Sequence, residues 1–257
     1  MAILLKGNEV ATALTEKLKS EAASLKNPCL AIVRVGEKDS DLSYERGAIK
    51  RCEKIGITVK QVVLPSDVTH EELKNIIDSL DNDDNIHGVL IFKPLPGYLM
   101  DINSKKDVDI NPPCTAQSVI EILKYYNIPI KGKNAVVIGR SDVIGKPVSM
   151  LLLQEDATVT ICHSKTEKLK EIAKNADILV VAIGKAEYIT KDYVNPNQVV
   201  IDVGIHVKDD GSMCGDTMFS ELEPVVKAIT PVPGGVGSVT TTVLADHVLK
   251  KAKENEK

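Results

Sequence analysis

Two stretches of the chain carry residues whose types and spacing suit close contact with a phosphorylated, flat ligand. The first is Ala135-Val-Val-Ile-Gly-Arg-Ser-Asp-Val-Ile-Gly-Lys-Pro147, a strand, a glycine-containing turn and the start of a helix. Gly139 permits a tight turn there and Gly145 lets helix and strand approach closely. The helix start offers free N–H groups and a positive dipole end to a diphosphate. The spelling is G-x-S-x-x-x-G-x-P, so the generic G-x-G-x-x-G pattern fails on a strict count. A plain βα turn, common to many α/β proteins, is the alternative. The next predicted strand ends in Ile161-Cys-His-Ser-Lys-Thr166, with no acid to hold a ribose 2′-hydroxyl. Hydroxyl and basic groups there, with Arg140, suit a 2′-phosphate instead, so NADP is expected, with NAD as the alternative. The second stretch is Thr230-Pro-Val-Pro-Gly-Gly-Val-Gly237, a rigid turn whose backbone can approach a flat ligand, or else an ordinary surface loop.

These loops need elements to position them. Val10, Leu14, Leu18 and Leu25 recur at helical spacing, which predicts an opening amphipathic helix over about 8–26. Apolar runs predict strands over 30–35, 58–64, 88–92, 135–138, 158–161, 178–182 and 199–203. Helices fall between them at about 40–54, ending at Gly56, and from Thr69, a candidate cap, through Leu80. Others are expected near 116–125, 144–153, 165–175 and 239–253, the last with a charged, frayed tail. The polar, proline-bounded stretch 97–113 reads as a connecting segment. Strands alternating with helices imply right-handed βαβ units and a mostly parallel sheet.

Composition narrows the class. The 257 residues allow one large domain or two modest ones, with 43% hydrophobic and 26% charged residues and a formal net charge of −4. Charges of both signs are interspersed, so nucleic acid is not the expected partner, and no stretch could span a membrane. Five scattered cysteines without a C-x-x-C pair read as reduced thiols of a cytoplasmic protein. His70, His87, His206 and His247 lack metal-ligand spacing, so no metal is expected, and no serine has a nucleophile-elbow context.

Several segments together resemble the bifunctional methylenetetrahydrofolate dehydrogenase/cyclohydrolase family. They are Val35-Gly36 with Ser43-Tyr44, Cys52 and Gly56, then Gly88-Val-Leu-Ile91 with Pro94-Leu-Pro96, and Lys106-Asp-Val-Asp109. Gly139-Arg-Ser141, Val143-Ile-Gly145, Pro147, His163-Ser-Lys-Thr166, Asp202-Val-Gly-Ile205, Gly215-Asp216 and the 230–237 run follow in family order. The resemblance implies a small α/β folate-binding domain over 1–117, with the last helix (241–257) packing back on it. It also implies a Rossmann-type, doubly wound parallel-sheet cofactor domain over 118–240, a cleft between the two, and a homodimer. Tyr44 and Asp109 are then the catalytic candidates, and Tyr44, Ala48, Ile91, Phe92, Asp109, Pro233, Gly234 and Gly235 the substrate-binding ones. A carboxylate at Asp109 can accept two bonds from pterin N–H donors, or it can cap a helix or turn. Gly139, Arg140, Ser141, Ile144, His163, Ser164, Ala182, Ile205, Gly237 and Thr240 are the cofactor-binding candidates.

The sequence also departs from the family. The family's Tyr is followed one helical turn later by a Lys credited with the cyclohydrolase step, and a Gln before Leu-Pro-Leu-Pro tunes it. Here those positions are Ala48 and Phe92, neither of which can relay a proton. Lys50 is turned off the Tyr44 face and Lys93 should point opposite to Phe92, so both read as solvated lysines. A loop before Pro-Cys-Thr is contracted to Asn111-Pro-Pro-Cys-Thr115. The expected activity is therefore oxidation of 5,10-methylenetetrahydrofolate by NAD(P), with cyclohydrolase lost. The alternatives are a bifunctional enzyme and a non-catalytic folate- or nucleotide-binding regulator.

Overall fold

The Val- and Ile-rich runs form parallel strands, and the amphipathic stretches between them form the covering helices. In chain order the strands of this computed structural model are β1 (Ile3–Leu4), β2 (Cys29–Val35), β3 (Thr58–Leu64), β4 (Gly88–Ile91), β5 (Asn134–Ile138), β6 (Thr158–Cys162), β7 (Ile178–Val181), β8 (Val199–Asp202), β9 (His206–Val207), β10 (Met213–Cys214) and β11 (Ala228–Ile229). The helices are α1 (Gly7–Ala22), α2 (Asp39–Ile55), α3 (His70–Asp81), α4 (Cys114–Tyr125), α5 (Gly145–Gln154), α6 (Leu169–Lys174), α7 (Phe219–Leu222) and α8 (Thr240–Asn255). The structure describes residues 1–109 and 112–256, the side chain of Ser40 excepted, so the contracted junction at Asn111 lies outside the described residues.

The chain divides into two compact units, one of Thr12–Cys114 with Thr241–Lys257 and one of Met1–Ala11 with Thr115–Thr240. The first residues thus belong with the later segment, not with a first domain over 1–117. The reason is a pairing that two residues cannot announce by periodicity: β1 lies parallel to β11, Ile3 opposite Ala228.

In the unit built around Thr12–Cys114, the sheet order is β3-β2-β4, all parallel. Leu30, Ala31, Ile32 and Val33 are fully buried because β2 is central, whereas the edge strand β3 keeps alternate residues accessible. Leu73, Ile77 and Leu80 of α3 pack with Ala31, Val33, Val89 and Ile91. The start of α3 is a capping box. The Thr69 hydroxyl accepts the Glu72 N–H, and the Glu72 carboxylate accepts the Thr69 N–H at 2.9 Å. Gly56 ends α2 in the left-handed region (φ 100°) and donates to the Cys52 and Glu53 carbonyls. The charged tail is tied down, contrary to expectation: Lys253 Nζ pairs with Glu21 at 2.5 Å and Glu256 accepts the Lys26 N–H at 2.7 Å.

The other unit holds a six-stranded parallel sheet in the order β1-β11-β8-β7-β5-β6. The chain leaves β5 toward β6, then returns across it to β7, so the order reverses at β5. In such sheets ligands bind beyond the carboxyl ends of the strands at that reversal. The 165–175 helix is confined to α6 because His163–Thr166 closes a turn first, with the Thr166 N–H on the His163 carbonyl at 2.9 Å. Among the described residues no helix is long and apolar enough to cross a membrane.

Leu73 is fully buried in the core of the three-stranded unit. Leu73→Ala is expected to lower unfolding free energy by about 2–5 kcal/mol, read as a lower urea midpoint at unchanged slope. A change within ~0.5 kcal/mol would show that α3 contributes little to that core.

Candidate functional site

The loop after β5 is built by the absence of two side chains. Gly139 has φ 138°, and a Cβ on it would overlap the Ala182 carbonyl; a Cβ on Gly145 would overlap the Gly139 carbonyl. The ends of β5 and β7 and the start of α5 are therefore in backbone contact, which leaves a cradle where a ligand can lie against main chain. A cavity of about 350 Å³ opens there, lined by Ile138, Gly139, Arg140, Ser141, His163, Ser164, Leu169, Ala182, Ile183, Lys185 and Tyr188. Six of the ten cofactor candidates thus share one cavity, and Leu169, Lys185 and Tyr188 join them without any mark in the sequence.

The expected free donors at the helix start are partly engaged. The Ser141 hydroxyl oxygen accepts the Ile144 N–H at 3.1 Å and the Gly145 N–H at 3.3 Å, and the Lys146 N–H donates to the Ser141 carbonyl. Ser141 lies three residues before Ile144 and its short side chain folds back on the turn, which competes with an external anion for those amides. Its hydroxyl hydrogen remains available to donate. Ile144 therefore acts as the helix cap position and does not line the cavity. His163 Nδ1 accepts the Lys165 N–H at 3.2 Å, so in the neutral ring Nε2 carries the hydrogen and donates. Among the described lining residues there is no Asp or Glu, while Arg140 and Lys185 bring positive charge. This donor set fits a phosphorylated dinucleotide.

A second cavity of about 200 Å³ in the same unit is lined by Asp202–Ile205, Met213 and the run from Pro231 to Ser238. It gathers Ile205, Pro233, Gly234, Gly235 and Gly237. Thr240 lines neither cavity, and its hydroxyl donates to the Gly237 carbonyl at 3.1 Å.

The framework under both cavities is a pair of buried carboxylates to which sequence reasoning assigned no role. Asp216 accepts the N–H groups of Ile183 (2.6 Å), Gly184 (3.0 Å) and Lys185 (2.9 Å), and faces His206 Nε2 at 2.7 Å. Asp202 accepts from the N–H groups of Gly204, Asp216 and Thr217 and from the Thr217 hydroxyl, at 2.6–3.0 Å. Burial pushes the Asp202 carboxyl up, and its four donors pull it back. The segments Asp202-Val-Gly-Ile205 and Gly215-Asp216 were the only sequence signal for this network.

In the three-stranded unit, Tyr44 and Ala48 lie on α2 and Phe92 follows β4. The Tyr44 and Phe92 rings meet edge to face, 5.9 Å apart at 89°, and Ala48 is fully buried. Ile91 is also buried. Beside Tyr44, Glu45 forms a buried ion pair with Arg34 Nε of β2 at 2.9 Å and accepts from Gln61 of β3 at 3.2 Å. That pair fixes the rotation of α2 over the sheet. Lys106-Asp-Val-Asp109 is not a free connection. Val89 of β4 donates to the Lys106 carbonyl at 2.8 Å and accepts from Val108 at 3.1 Å, so the stretch runs along the β4 edge. His247 of α8 holds it from another side, Nδ1 to the Val108 carbonyl at 2.8 Å, and burial keeps that imidazole toward its neutral form. Asp109 is exposed at the end of this rail, and one of its oxygens accepts the Cys114 N–H at 2.6 Å at the start of α4. The capping reading is thus met at that oxygen.

Lys93 is exposed, as expected of a solvated lysine, yet it also has partners. Its Nζ lies 3.1 Å from Asn103 Oδ1 and 3.5 Å from Asp107, whose side chain is only 4% exposed. Lys50 is exposed. A further cavity of about 990 Å³ opens at the opposite strand ends, around Cys29, Thr58 and His87. Two of its lining cations have partners: Lys60 lies 4.0 Å from Asp83, and Lys106 donates to the Leu80 and Asp83 carbonyls.

Residues 5–109 match the family described as "Tetrahydrofolate dehydrogenase/cyclohydrolase, catalytic domain", and 113–256 match its "NAD(P)-binding domain". The chain is 48% identical over 276 residues to a bifunctional protein FolD of Clostridioides difficile (strain 630), covering 97% of this chain and 96% of the relative. A crystal structure of a bifunctional FolD methylenetetrahydrofolate dehydrogenase/cyclohydrolase from Campylobacter jejuni superposes with a TM-score of 0.93 at 36% identity, over 99% of each chain. The Trypanosoma brucei enzyme, solved with NADP cofactor and an inhibitor, superposes with a TM-score of 0.90 at 31% identity, over 100% of this chain and 99% of that one.

Burial raises the Asp107 carboxyl above its ordinary value, against the lowering pull of the Asp109 N–H and of Lys93. A carboxyl that titrates higher when folded costs stability as pH rises through its folded value. Lys93 offsets that cost only where Asp107 is ionised. Lys93→Met is therefore expected to destabilise more at about pH 7 than below about pH 4, compared by urea unfolding. Equal losses at both ends would show that Lys93 does not act on Asp107.

Proposed function

The chain belongs to the tetrahydrofolate dehydrogenase/cyclohydrolase family, and within it we propose a dehydrogenase that oxidises 5,10-methylenetetrahydrofolate, prefers NADP to NAD and has lost the cyclohydrolase step. The observation that carries the proposal is that Ala48 is a fully buried methyl and Phe92 a ring packed on Tyr44, where the family's second reaction needs an amine and an amide. Adding water to the methenyl carbon requires a group that moves a proton, and neither a buried methyl nor a phenyl ring does so.

When bound, the nicotinamide supplies the acceptor for the two electrons and the hydrogen that leave the methylene carbon. The protein's part is alignment and exclusion of water. In this reading Asp109 accepts N–H bonds from the pterin through the oxygen not committed to Cys114, and Tyr44 and Phe92 offer ring surface to the substrate. The Pro233-Gly-Gly235 backbone faces the reacting rings, while Ile205 and Gly237 border the nicotinamide half. Gly139, Ser141 and Ala182 cradle the diphosphate, and Arg140, His163 and Ser164 hold the adenosine end. The cavity's positive charge and lack of a lining carboxylate support NADP over NAD. A homodimer and a cytoplasmic setting belong to the same proposal. Edge strand β6, with Ile161 exposed, supports the first, and five free thiols support the second.

A bifunctional enzyme is the second reading, favoured by the names of the relatives and by one observation. Lys93, next to Phe92, brings an ammonium to the buried Asp107.

The test takes purified protein with 5,10-methylenetetrahydrofolate and NADP or NAD in parallel, then methenyltetrahydrofolate alone. Reduced cofactor is expected to form faster with NADP, and the methenyl compound to decay at its spontaneous rate. Protein-dependent loss of methenyltetrahydrofolate would establish the second reading. No reduction of either cofactor would remove both.

A further inference from the structure

We propose that Lys185 is a second reader of the cofactor's 2′-phosphate, held in place by the ring of Tyr188. The inference rests on the reading of the 350 Å³ cavity as an NADP site and adds a specificity residue to it.

The topology sets which end of a dinucleotide Lys185 meets. In a doubly wound sheet the loop after the first strand faces the diphosphate, and the end of the second strand faces the adenosine ribose. Here the first is Gly139–Ser141 after β5 and the second is His163-Ser164 after β6. Lys185 and Tyr188 leave β7, on the other side of β5, yet they line the same cavity as His163 and Ser164. They therefore close the adenosine end from the opposite strand.

Lys185 is a placed cation. Its N–H donates to the buried Asp216 carboxylate at 2.9 Å, alongside those of Ile183 and Gly184, so its side chain starts from fixed main chain. Its ammonium lies 5.2 Å from the centroid of the Tyr188 ring. Tyr188 is itself backed by Tyr193, 6.2 Å away at 49°, and the Tyr193 ring takes Lys170 at 5.3 Å. The nearby acids are engaged elsewhere. Glu187 pairs with Lys208 at 2.8 Å, and Asp192 pairs with Lys170 at 2.9 Å. Lys185 thus keeps its charge for the cavity, where it adds to Arg140. A phosphomonoester dianion rewards a second cation, and the uncharged ribose hydroxyl of NAD does not.

The experiment measures equilibrium binding of adenosine 2′,5′-bisphosphate and of ADP, with KM for NADP and NAD, in the wild type and three variants. Lys185→Met is expected to weaken the bisphosphate and NADP about tenfold, the size of one charge-assisted bond, and to change ADP and NAD less than about twofold. Tyr188→Leu should reproduce part of that loss, and Tyr188→Phe, which keeps the ring, should not. Unchanged melting temperatures would show that all three fold. A wild type that prefers the bisphosphate, with Lys185→Met preferring it equally, overturns the role of Lys185 and leaves the NADP reading intact. A wild type that does not distinguish the two nucleotides overturns both.

Discussion

Two buried carboxylates, Asp202 and Asp216, organise everything that the larger unit offers a ligand. Taking an ion out of water costs several kcal/mol, and only a full set of donors repays it. Each carboxylate here faces four: Asp202 has three backbone N–H groups and the Thr217 hydroxyl, and Asp216 has three consecutive backbone N–H groups and His206. At about 1.5–3 kcal/mol for each bond to a charged group, four donors offset a cost of that size. Those bonds tie the strand exits to the two carboxylates and fix their main chain. The exit of β7 borders the dinucleotide cavity and the exit of β8 carries Ile205 into the second one. The two acids are coupled as well, since the Asp216 N–H is one of the donors to Asp202.

The smaller unit reaches rigidity by a different route. Its sheet has only three strands, so the site residues are held by side chains bridging from neighbouring elements. Arg34 and Glu45 set the rotation of α2, His247 and the β4 edge carry the Lys106–Asp109 rail, and Lys93 compensates the charge buried at Asp107. Against that scaffolding, the replacement of two polar side chains by Ala48 and Phe92 is a local change. It leaves the tyrosine packed edge to face on a ring and the rest of the framework in place. Under the proposed function, a reaction that depends on alignment survives such a change, and one that depends on a proton relay at those positions does not.

Much of this was legible in the chain before any coordinate was known. Apolar runs separated by helical spacing gave the parallel α/β architecture, because both patterns are local and repeat over enough residues to be recognised. The Thr69 cap and the Gly56 terminus were readable for the same reason, each being a contact within four residues. Gly139 and Gly145 marked the cradle, since only glycine allows the backbone approach made there. Elements of two residues, such as β1 and β11, carry no period and were invisible. Their pairing moved the first eleven residues into the other unit.

By itself, then, the sequence determined the fold class and the tight glycine turn after β5, because residue type and near-neighbour spacing suffice for each, while Ala48 and Phe92 gained their meaning only from the resemblance to the family. Only the tertiary structure decided which charges meet. It placed Lys93 on Asp107, Lys185 beside His163 and Ser164, and the Asp216 carboxylate under the exit of β7. It also turned the Ser141 hydroxyl onto amides that had been expected to face a ligand. Apart from the Ser141 turn, these contacts join residues 14 to 33 positions apart. They arise from strand order and burial, which no local pattern encodes.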